Sequence, residues 1–475
     1  MSIIAELTDG VARTLEDVQS SVGEFLFEPV LRIGVTGLSR SGKTVFITSL
    51  IANLLNRGRM LQLSAAADGR IQNAFLQPQP DDSVPRFEYE THIAALTGPE
   101  PFWPESTRSI SQLRLSLKFK PDGLLSGLTG PRTLHLDIVD YPGEWLLDLP
   151  LMNQSYAQWS DATIQAARAP ARASLAEGWL AQLEASDPSA EVDEQAARDL
   201  AASFTNYLST AREAGFSAVA PGRFLMPGDL EGSPALSFAP LPRPEKLRSK
   251  MLYAAFERRF EAYKRIVVKP FFRDHFAKID RQIVLMDALG AINAGPQATD
   301  DLRLAMADIL AMFRPGKNSW LTPFLGKRVE RILFAATKAD HLHHSQHQKV
   351  SAIMTAMLED AKRKADYKGA STAAIAIASL RATIEQTVTH DGAELECIRG
   401  TLLETGKEAA LYAGDLPQDP SHLLTPARQG AEQWLDQDYR IMRFAPPHLT
   451  LQPGEGPPHI RLDKATEFLI GDALS

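Results

Sequence analysis

The octapeptide Gly-Leu-Ser-Arg-Ser-Gly-Lys-Thr at residues 37–44 constrains this chain more than any other feature. It fits the pattern G-x-x-x-x-G-K-[ST]. The apolar run Val30-Leu31-Arg32-Ile33-Gly34-Val35 before it predicts a buried strand, and Val45-Phe46-Ile47-Thr48-Ser49-Leu50-Ile51-Ala52 after it predicts a helix. Strand, glycine-rich loop and helix, in that order, are the setting of a phosphate-binding P-loop. Backbone N–H groups point at the phosphates there, and the helix N-terminus adds positive partial charge. Ser39, Arg40, Ser41, Gly42, Lys43, Thr44 and Val45 form the expected binding set. Gly37 and Gly42 allow close backbone approach. Lys43 is spaced to reach the β- and γ-phosphates, and the Thr44 hydroxyl to ligate Mg²⁺.

The chain's 475 residues leave ample length for a core. A net charge of −8 argues against a dedicated nucleic-acid binder, which usually carries a basic face. The single Cys397 excludes an intramolecular disulfide, reads as an inert packing thiol and suits a reducing cytoplasm. No apolar run reaches the roughly 18 residues of a membrane span. The N-terminus, Met1-Ser2-Ile3-Ile4-Ala5-Glu6-Leu7, lacks the basic region of a signal peptide. Ile4, Leu7, Val11, Leu15, Val18, Val22 and Phe25 recur in helical steps, so an amphipathic helix packed on its own domain is expected. Its polar face carries Glu6, Asp9, Arg13, Glu16 and Asp17 and is acidic rather than basic, which disfavours peripheral contact with anionic lipid.

Downstream, residues 60–105 read as a Pro-, Gly- and Asp-rich loop. Leu113–Phe119 and Thr133–Asp140 read as a hairpin whose first strand, by its clean alternation, has one wet face. Residues 151–215 predict two long helices broken near Asp187-Pro188-Ser189, followed by a loop over 216–245 and a charged helix over about 246–265. Strands at Gln282–Asp287, Arg331–Ala336 and Ala373–Ala378 alternate with helices over about 298–313 and 346–365. That alternation implies an α/β fold with a mostly parallel sheet. Segments 394–400 and 409–413 are spaced to pair, and residues 463–474 read as a capping helix.

Two further motifs sit at strand ends. Asp140-Tyr141-Pro142-Gly143 fits D-x-x-G, in which the acid can hold Mg²⁺ through water and the Gly143 amide can sense a γ-phosphate. Asp287-Ala288-Leu289-Gly290 fits as well, but Asp140 is preferred because its strand follows a hairpin partner. Thr337-Lys338-Ala339-Asp340 fits N/T-K-x-D, in which Asp340 would accept hydrogen bonds from guanine N1–H and N2–H₂ and the Lys338 stem would lie over the base. Adenine lacks that donor pair. The competing reading makes Asp340 a helix N-cap and leaves an ATPase open. Ser379 and Leu380, after the last strand, stand where a loop would touch guanine O6. His341-Leu342-His343-His344 offers imidazoles, but nothing nearby in sequence supplies carboxylates or Cys at ligand spacing, so it reads as a solvated helix start.

In this order the motifs resemble the GTPase superfamily. The larger pattern, including Phe102-Trp103-Pro104-Glu105-Ser106-Thr107-Arg108 and Asp140-Tyr141-Pro142-Gly143-Glu144-Trp145, resembles the YcjX family of bacterial stress-linked P-loop proteins over nearly the whole chain. The resemblance implies a protein that binds GTP and GDP with Mg²⁺. Beyond a stress-linked setting, the protein partner and the process served are not implied.

Asp140 lies 96 residues beyond Thr44, and Thr337 lies 194 beyond Gly143, so each gap houses an insertion. The expected division is an N-terminal helix at 1–28, a GTP-binding domain at 29–150 and 281–385, a mainly helical insertion at 151–280, and a C-terminal extension at 386–475. Thr107 is the expected switch Mg²⁺ ligand, with Ser106, Thr91 and Thr97 as rivals. Arg108 or Arg40 could act as an internal arginine finger. Glu144 stands where Ras-like proteins carry a water-orienting Gln, so hydrolysis is expected to be slow. The expected activity is slow GTP hydrolysis, with a nucleotide-binding regulatory module or an ATPase as alternatives.

Overall fold

The computed structural model describes residues 28–37, 41–105, 109–122, 130–313, 329–364, 370–434 and 439–475. The expected N-terminal helix, Ser39 and Arg40 of the P-loop, and Ser106, Thr107 and Arg108 lie outside the described residues.

β-branched and apolar runs bounded by turn residues form the strands β1 (Val30–Gly37), β2 (Ile71–Leu76), β3 (Ser111–Phe119), β4 (Arg132–Asp140), β5 (Arg281–Met286), β6 (Arg331–Ala336) and β7 (Ser371–Ala376). They join in one sheet in the order β2-β3-β4-β1-β5-β6-β7. The pairs β4–β1, β1–β5, β5–β6 and β6–β7 are parallel, while β2–β3 and β3–β4 are antiparallel. The fold is therefore α/β with a mostly parallel central sheet. Val35 lies opposite Asp140, Gly37 opposite Leu285, Met286 opposite Ala336, and Ala336 opposite Ala376. This register brings the carboxyl ends of five strands to one edge, where open α/β sheets bind their ligands.

Two expectations for this half change. The 60–105 segment is not simply loop: β2 adds an edge strand, and a helix forms at Tyr89–Thr97. The mixed polarity of Ile71–Leu76 follows its edge position, with exposed side chains along much of its length. The alternating strand β3 is not wet on its polar face. Arg114 bonds Asp137 on β4 at 2.6 and 2.8 Å, and Ser116 meets His135 at 2.7 Å. Alternation reports polarity, and here the polar residues are consumed by directly opposed cross-strand partners.

Among the described residues, the α-helices of seven residues or more are α1 (Lys43–Asn56), α2 (Tyr89–Thr97), α3 (Tyr156–Arg168), α4 (Pro170–Ala185), α5 (Glu194–Glu213), α6 (Leu252–Tyr263), α7 (Ala288–Ala294), α8 (Pro296–Met312), α9 (His344–Lys364), α10 (Ser421–Arg428) and α11 (Leu462–Ile470). The 151–215 stretch holds three helices rather than two. Pro170 cannot continue α3, since it lacks the N–H, and instead opens α4 at its first position. The break near Asp187 is present, and the Asp193 side chain then caps α5 by accepting from Ala196 N–H at 2.7 Å. A second, antiparallel sheet contains β8 (Ile384–His390), β9 (Ala393–Thr401) and β10 (Glu408–Leu411) in the order β10-β9-β8. The β9–β10 pairing is the one anticipated. β8 carries mostly polar, exposed residues and so gave no apolar signal.

Two cores lie against the large sheet. One unites Val35, Leu115, Ile138, Leu285 and Leu333 with Phe46, Ile47 and Leu50 of α1 and Leu462 and Leu469 of α11. The other unites Val284, Met286 and Phe334 with α8, α9 and the helices of 156–263. Side chains of this size contribute roughly 1.5–3 kcal/mol each when fully buried. The insertion is thus continuous with the sheet core, and its interior is aromatic: Trp159 stacks on Phe260 at 5.1 Å and Trp179 on Tyr207 at 5.3 Å.

The segment after D-x-x-G, Gly143–Asn153, is a buried 3₁₀ helix held by this insertion. Asp148 Oδ1 accepts the Gly222 N–H at 2.6 Å, and Oδ2 accepts the Tyr263 O–H at 2.6 Å and the Arg223 N–H at 3.2 Å. Burial pushes the Asp148 pKa up to about 6 despite these bonds. A carboxyl with a raised folded pKa adds stability below its unfolded pKa and loses it as pH rises through the folded value. Relative to Asp148→Asn, the wild-type chain should lose roughly 3 kcal/mol of unfolding free energy between about pH 4 and pH 7. Denaturant titrations of both proteins across that window check this, and a constant difference would mean an ordinary Asp148 pKa.

Candidate functional site

Ser41 packs closely against the end of β1 because Gly37 has no side chain. A Cβ there would lie 1.9 Å from Ser41 Oγ. Gly42 takes φ 72°, the left-handed region, and precedes α1 with no side-chain cap. The helix begins with Phe46 N–H donating to the Gly42 carbonyl at 2.9 Å.

Lys43 points to the β4 end. Its Nζ donates to the Tyr141 carbonyl at 2.9 Å and lies 2.6 Å from Asp140 Oδ1. That charge contact is off the hydrogen-bond direction. Neither Asp140 oxygen has a hydrogen-bond partner among the described residues, although Asp140 is only 1% exposed. A buried carboxylate left this way, beside the Thr44 hydroxyl's helix turn, suits a hydrated divalent cation. Thr44 Oγ1 meets the Glu105 carbonyl at 3.5 Å, which sets the 101–105 segment beside the P-loop. Of the rivals to Thr107, Thr91 and Thr97 belong to α2, and the Thr97 hydroxyl donates to Ile93 within that helix at 2.8 Å.

The second D-x-x-G match resolves differently. Asp287 caps α7 by accepting from Gly290 N–H at 3.0 Å and pairs with Lys338 Nζ at 2.5 Å. Glu144 lies in the 3₁₀ segment next to Gly143. Its carboxylate is buried and stands 3.6 Å from Arg212 of α5, so the insertion supplies its counter-charge. A Cβ on Gly222 would overlap the Glu144 carbonyl oxygen at 1.9 Å, which shows how closely the insertion covers this segment. Trp145 extends the contact: its Nε1 donates to Met226 at 3.1 Å, and the Arg223 guanidinium covers its ring.

Across the edge, the Thr337 N–H and hydroxyl both donate to the Met286 carbonyl, at 3.0 and 3.3 Å. Lys338 adopts φ 62°, a left-handed conformation that a non-glycine residue takes at a cost. Asp340 does not cap a long helix. It sits in a short 3₁₀ turn, buried, with Oδ2 accepting the Ala382 N–H at 2.8 Å, while its carbonyl accepts the Thr383 hydroxyl. No protein donor meets Asp340 Oδ1 among the described residues.

A cleft of about 400 Å³ opens at this edge of the sheet. Ser41, Gly42 and Val45 line one end, and Thr337, Lys338, Asp340, Ser379 and Leu380 line the other. Lys43, Thr44, Asp140, Gly143 and Glu144 do not line it. Sequence reasoning missed part of the wall: Trp103, His341, Leu403, Arg443 and Phe444 also face the cleft. Trp103 Nε1 donates to the Phe444 carbonyl at 2.7 Å, tying the segment before the switch to the C-terminal region. Further along, Ala378 and Ile460 exchange backbone hydrogen bonds at 3.0 and 2.8 Å, bracing the Ser379 loop. A Pro-rich stretch such as 440–460 offers no local pattern that foretells this; only Trp103, as an aromatic near the switch, could have been singled out.

The histidine run is not a solvated helix start throughout. His341 is buried, burial holds its pKa down, and its Nδ1 has no partner among the described residues. His347 is buried with Nε2 on the Ala339 and Leu342 carbonyls at 2.7 and 3.2 Å. His343 and His344 do meet carboxylates, because the second sheet carries Glu385 and Glu396 to them.

Comparison with known proteins agrees with this architecture. A "Ras-like GTPase YcjX" of Escherichia coli (strain K12) is 38% identical over 457 residues, covering 94% of this chain and 96% of that protein. A second, of Shewanella oneidensis and described in the same words, is 36% identical over 467 residues, covering 94% of each. Residues 31–474 match the family described as "YcjX-like family, DUF463". The chain belongs to the YcjX-like family.

Proposed function

We propose that this protein binds guanine nucleotide in the cleft and hydrolyses GTP slowly to GDP and phosphate, acting as a nucleotide-controlled switch. The observation that carries the reading is Asp340: one carboxylate oxygen is anchored by Ala382 N–H, and the residue lines the same cleft as the P-loop residues Ser41, Gly42 and Val45. Anchoring one oxygen aims the other. The relatives' description as Ras-like GTPases supports the same reading.

In this reading Ser39 to Val45 bind the phosphates, Lys43 leaves Asp140 for the β- and γ-oxygens, and Lys338, Ser379 and Leu380 flank the base. Thr44, Thr107 and, through water, Asp140 would hold Mg²⁺, which neutralises phosphate charge. Gly143 reports the γ-phosphate. Glu144, paired with Arg212, transmits the state of that segment to the helical insertion rather than facing the phosphates unpaired. Arg108 remains the candidate arginine finger. The division into a GTP-binding domain at 29–150 and 281–385, an insertion at 151–280 and an extension at 386–475 is the working description. The single, buried thiol of Cys397 suits the reducing cytoplasm. A stress-linked setting comes from the family resemblance alone, and a protein partner would read the two states.

Calorimetric titration with GDP and ADP in Mg²⁺ tests the base assignment. GDP should bind tightly and ADP weakly. Asp340→Ala should lose roughly 1.5–3 kcal/mol of GDP binding, about 10- to 100-fold, and its preference over ADP. Equal affinity for both nucleotides in the wild type would promote the ATPase reading.

Chelating Mg²⁺ should weaken GTP binding by about tenfold or more in the wild type. Thr44→Ala should show a much smaller dependence on Mg²⁺, and an undiminished dependence would remove Thr44 from the metal set.

Single-turnover assays separate an enzyme from a regulatory module. GTP should convert to GDP above the uncatalysed background, and Lys43→Ala should abolish the excess. Bound GTP recovered intact from the wild type would make the protein a binding module.

A further inference from the structure

His343, His344, Glu385 and Glu396 take no part in the nucleotide cleft, yet three elements assemble them. His344 opens α9, directly after His343, while Glu385 lies on β8 and Glu396 on β9. One ligand-capable atom from each of His343, His344 and Glu385 lies within 4.8 Å of the others. His344 Nδ1 is 2.8 Å from Glu385 Oε2, and His343 Nε2 is 3.7 Å from the same oxygen. The opposite sides of Glu385 and His343 are already engaged. Glu385 Oε1 accepts the His344 backbone N–H at 3.2 Å and stands 3.6 Å from Arg381 Nη2. His343 Nδ1 lies 3.2 Å from Glu396 Oε2 and 2.9 Å from Ser345 Oγ, and that hydroxyl bonds Glu396 at 2.5 Å.

The result is two imidazole nitrogens and one carboxylate oxygen gathered within 4.8 Å of one another, with a second carboxylate at the far nitrogen of one ring. That outer contact is the device by which proteins set the tautomer and orientation of a metal-binding histidine. Neutral imidazole with carboxylate suits Zn²⁺ and its first-row neighbours, whereas Mg²⁺ and Ca²⁺ prefer oxygen alone.

We propose that His343, His344 and Glu385 bind a divalent transition metal of the Zn²⁺ class, with Glu396 as the orienting residue for His343. The ion would cross-link the first turn of α9 to β8. Both ends of that link lead to the base-reading turn: Asp340 precedes His343 by three residues, and its carboxylate and carbonyl are held by Ala382 and Thr383, just before β8. The metal binding itself stands whether or not the cleft takes guanine.

The test uses tag-free, metal-stripped full-length protein titrated with CoCl₂ alone, read by the visible d–d absorption of Co²⁺, with ZnCl₂ competing it away. Saturation at one equivalent is expected in the wild type. His344 is exposed, so His344→Ala keeps the fold, which near-ultraviolet circular dichroism verifies, and it should lose the saturable bands. Glu396→Gln should retain the site with roughly 10- to 100-fold weaker affinity. Absence of bands in the wild type, or bands undiminished in both His344→Ala and Glu385→Gln, overturns the site. Unchanged affinity in Glu396→Gln overturns the orienting role.

Discussion

β1 has a parallel neighbour on each side, and the whole site depends on that pairing. β4 on one side and β5 on the other run with it, so Gly37, Asp140 and Met286 end at one edge of the sheet. The pairing needs a small residue inside β1: a Cβ on Gly34 would lie 2.4 Å from Gln282 Oε1, the atom that accepts the Tyr141 hydroxyl. With β6 and β7 continuing the parallel register, Thr337 and Ser379 arrive at the same edge from distant parts of the chain. A P-loop in another position would not have the Thr337–Asp340 turn and the Ser379 loop across the same edge.

Charge organises the edge beside the P-loop. Lys43 and Asp140 form a nearly buried pair without hydrogen-bond alignment. Such a pair is held by its surroundings more than by its own attraction, so it can be parted by a ligand that offers each charge a better partner. The residues just beyond Asp140 are gripped from the other side by Arg212, Gly222, Arg223 and Tyr263. The 141–153 segment therefore lies between the P-loop and the helical insertion, a contiguous packed path between the two. The C-terminal region is built in as closely, through the Trp103–Phe444 hydrogen bond and the Ala378–Ile460 bridge.

Much of the fold was legible because its signals are local. Apolar runs marked β1, β4, β5, β6 and β7, and helical periodicity marked α8 and α9. Where side-chain pattern and environment part company, reading failed. β8 is polar because it is exposed, and β2 is mixed because it is an edge strand. Gln112, Arg114 and Ser116 look solvent-facing in sequence but are satisfied by β4 or covered.

For the site, sequence alone determined the chemistry of single stretches: glycines where the loop must fold back, a lysine at the helix start, and an aspartate after each of two strands. Each depends on neighbours within a few residues, so spacing reveals it. Tertiary structure decided which of two D-x-x-G matches faces Lys43, since Asp287 is committed to Lys338 and to capping α7. It also gave Glu144 an arginine partner, brought Trp103, Arg443 and Phe444 to the cleft, and set two glutamates against His343 and His344. These contacts join residues tens to hundreds of positions apart, and they are chosen by strand order and core packing, which no local pattern encodes.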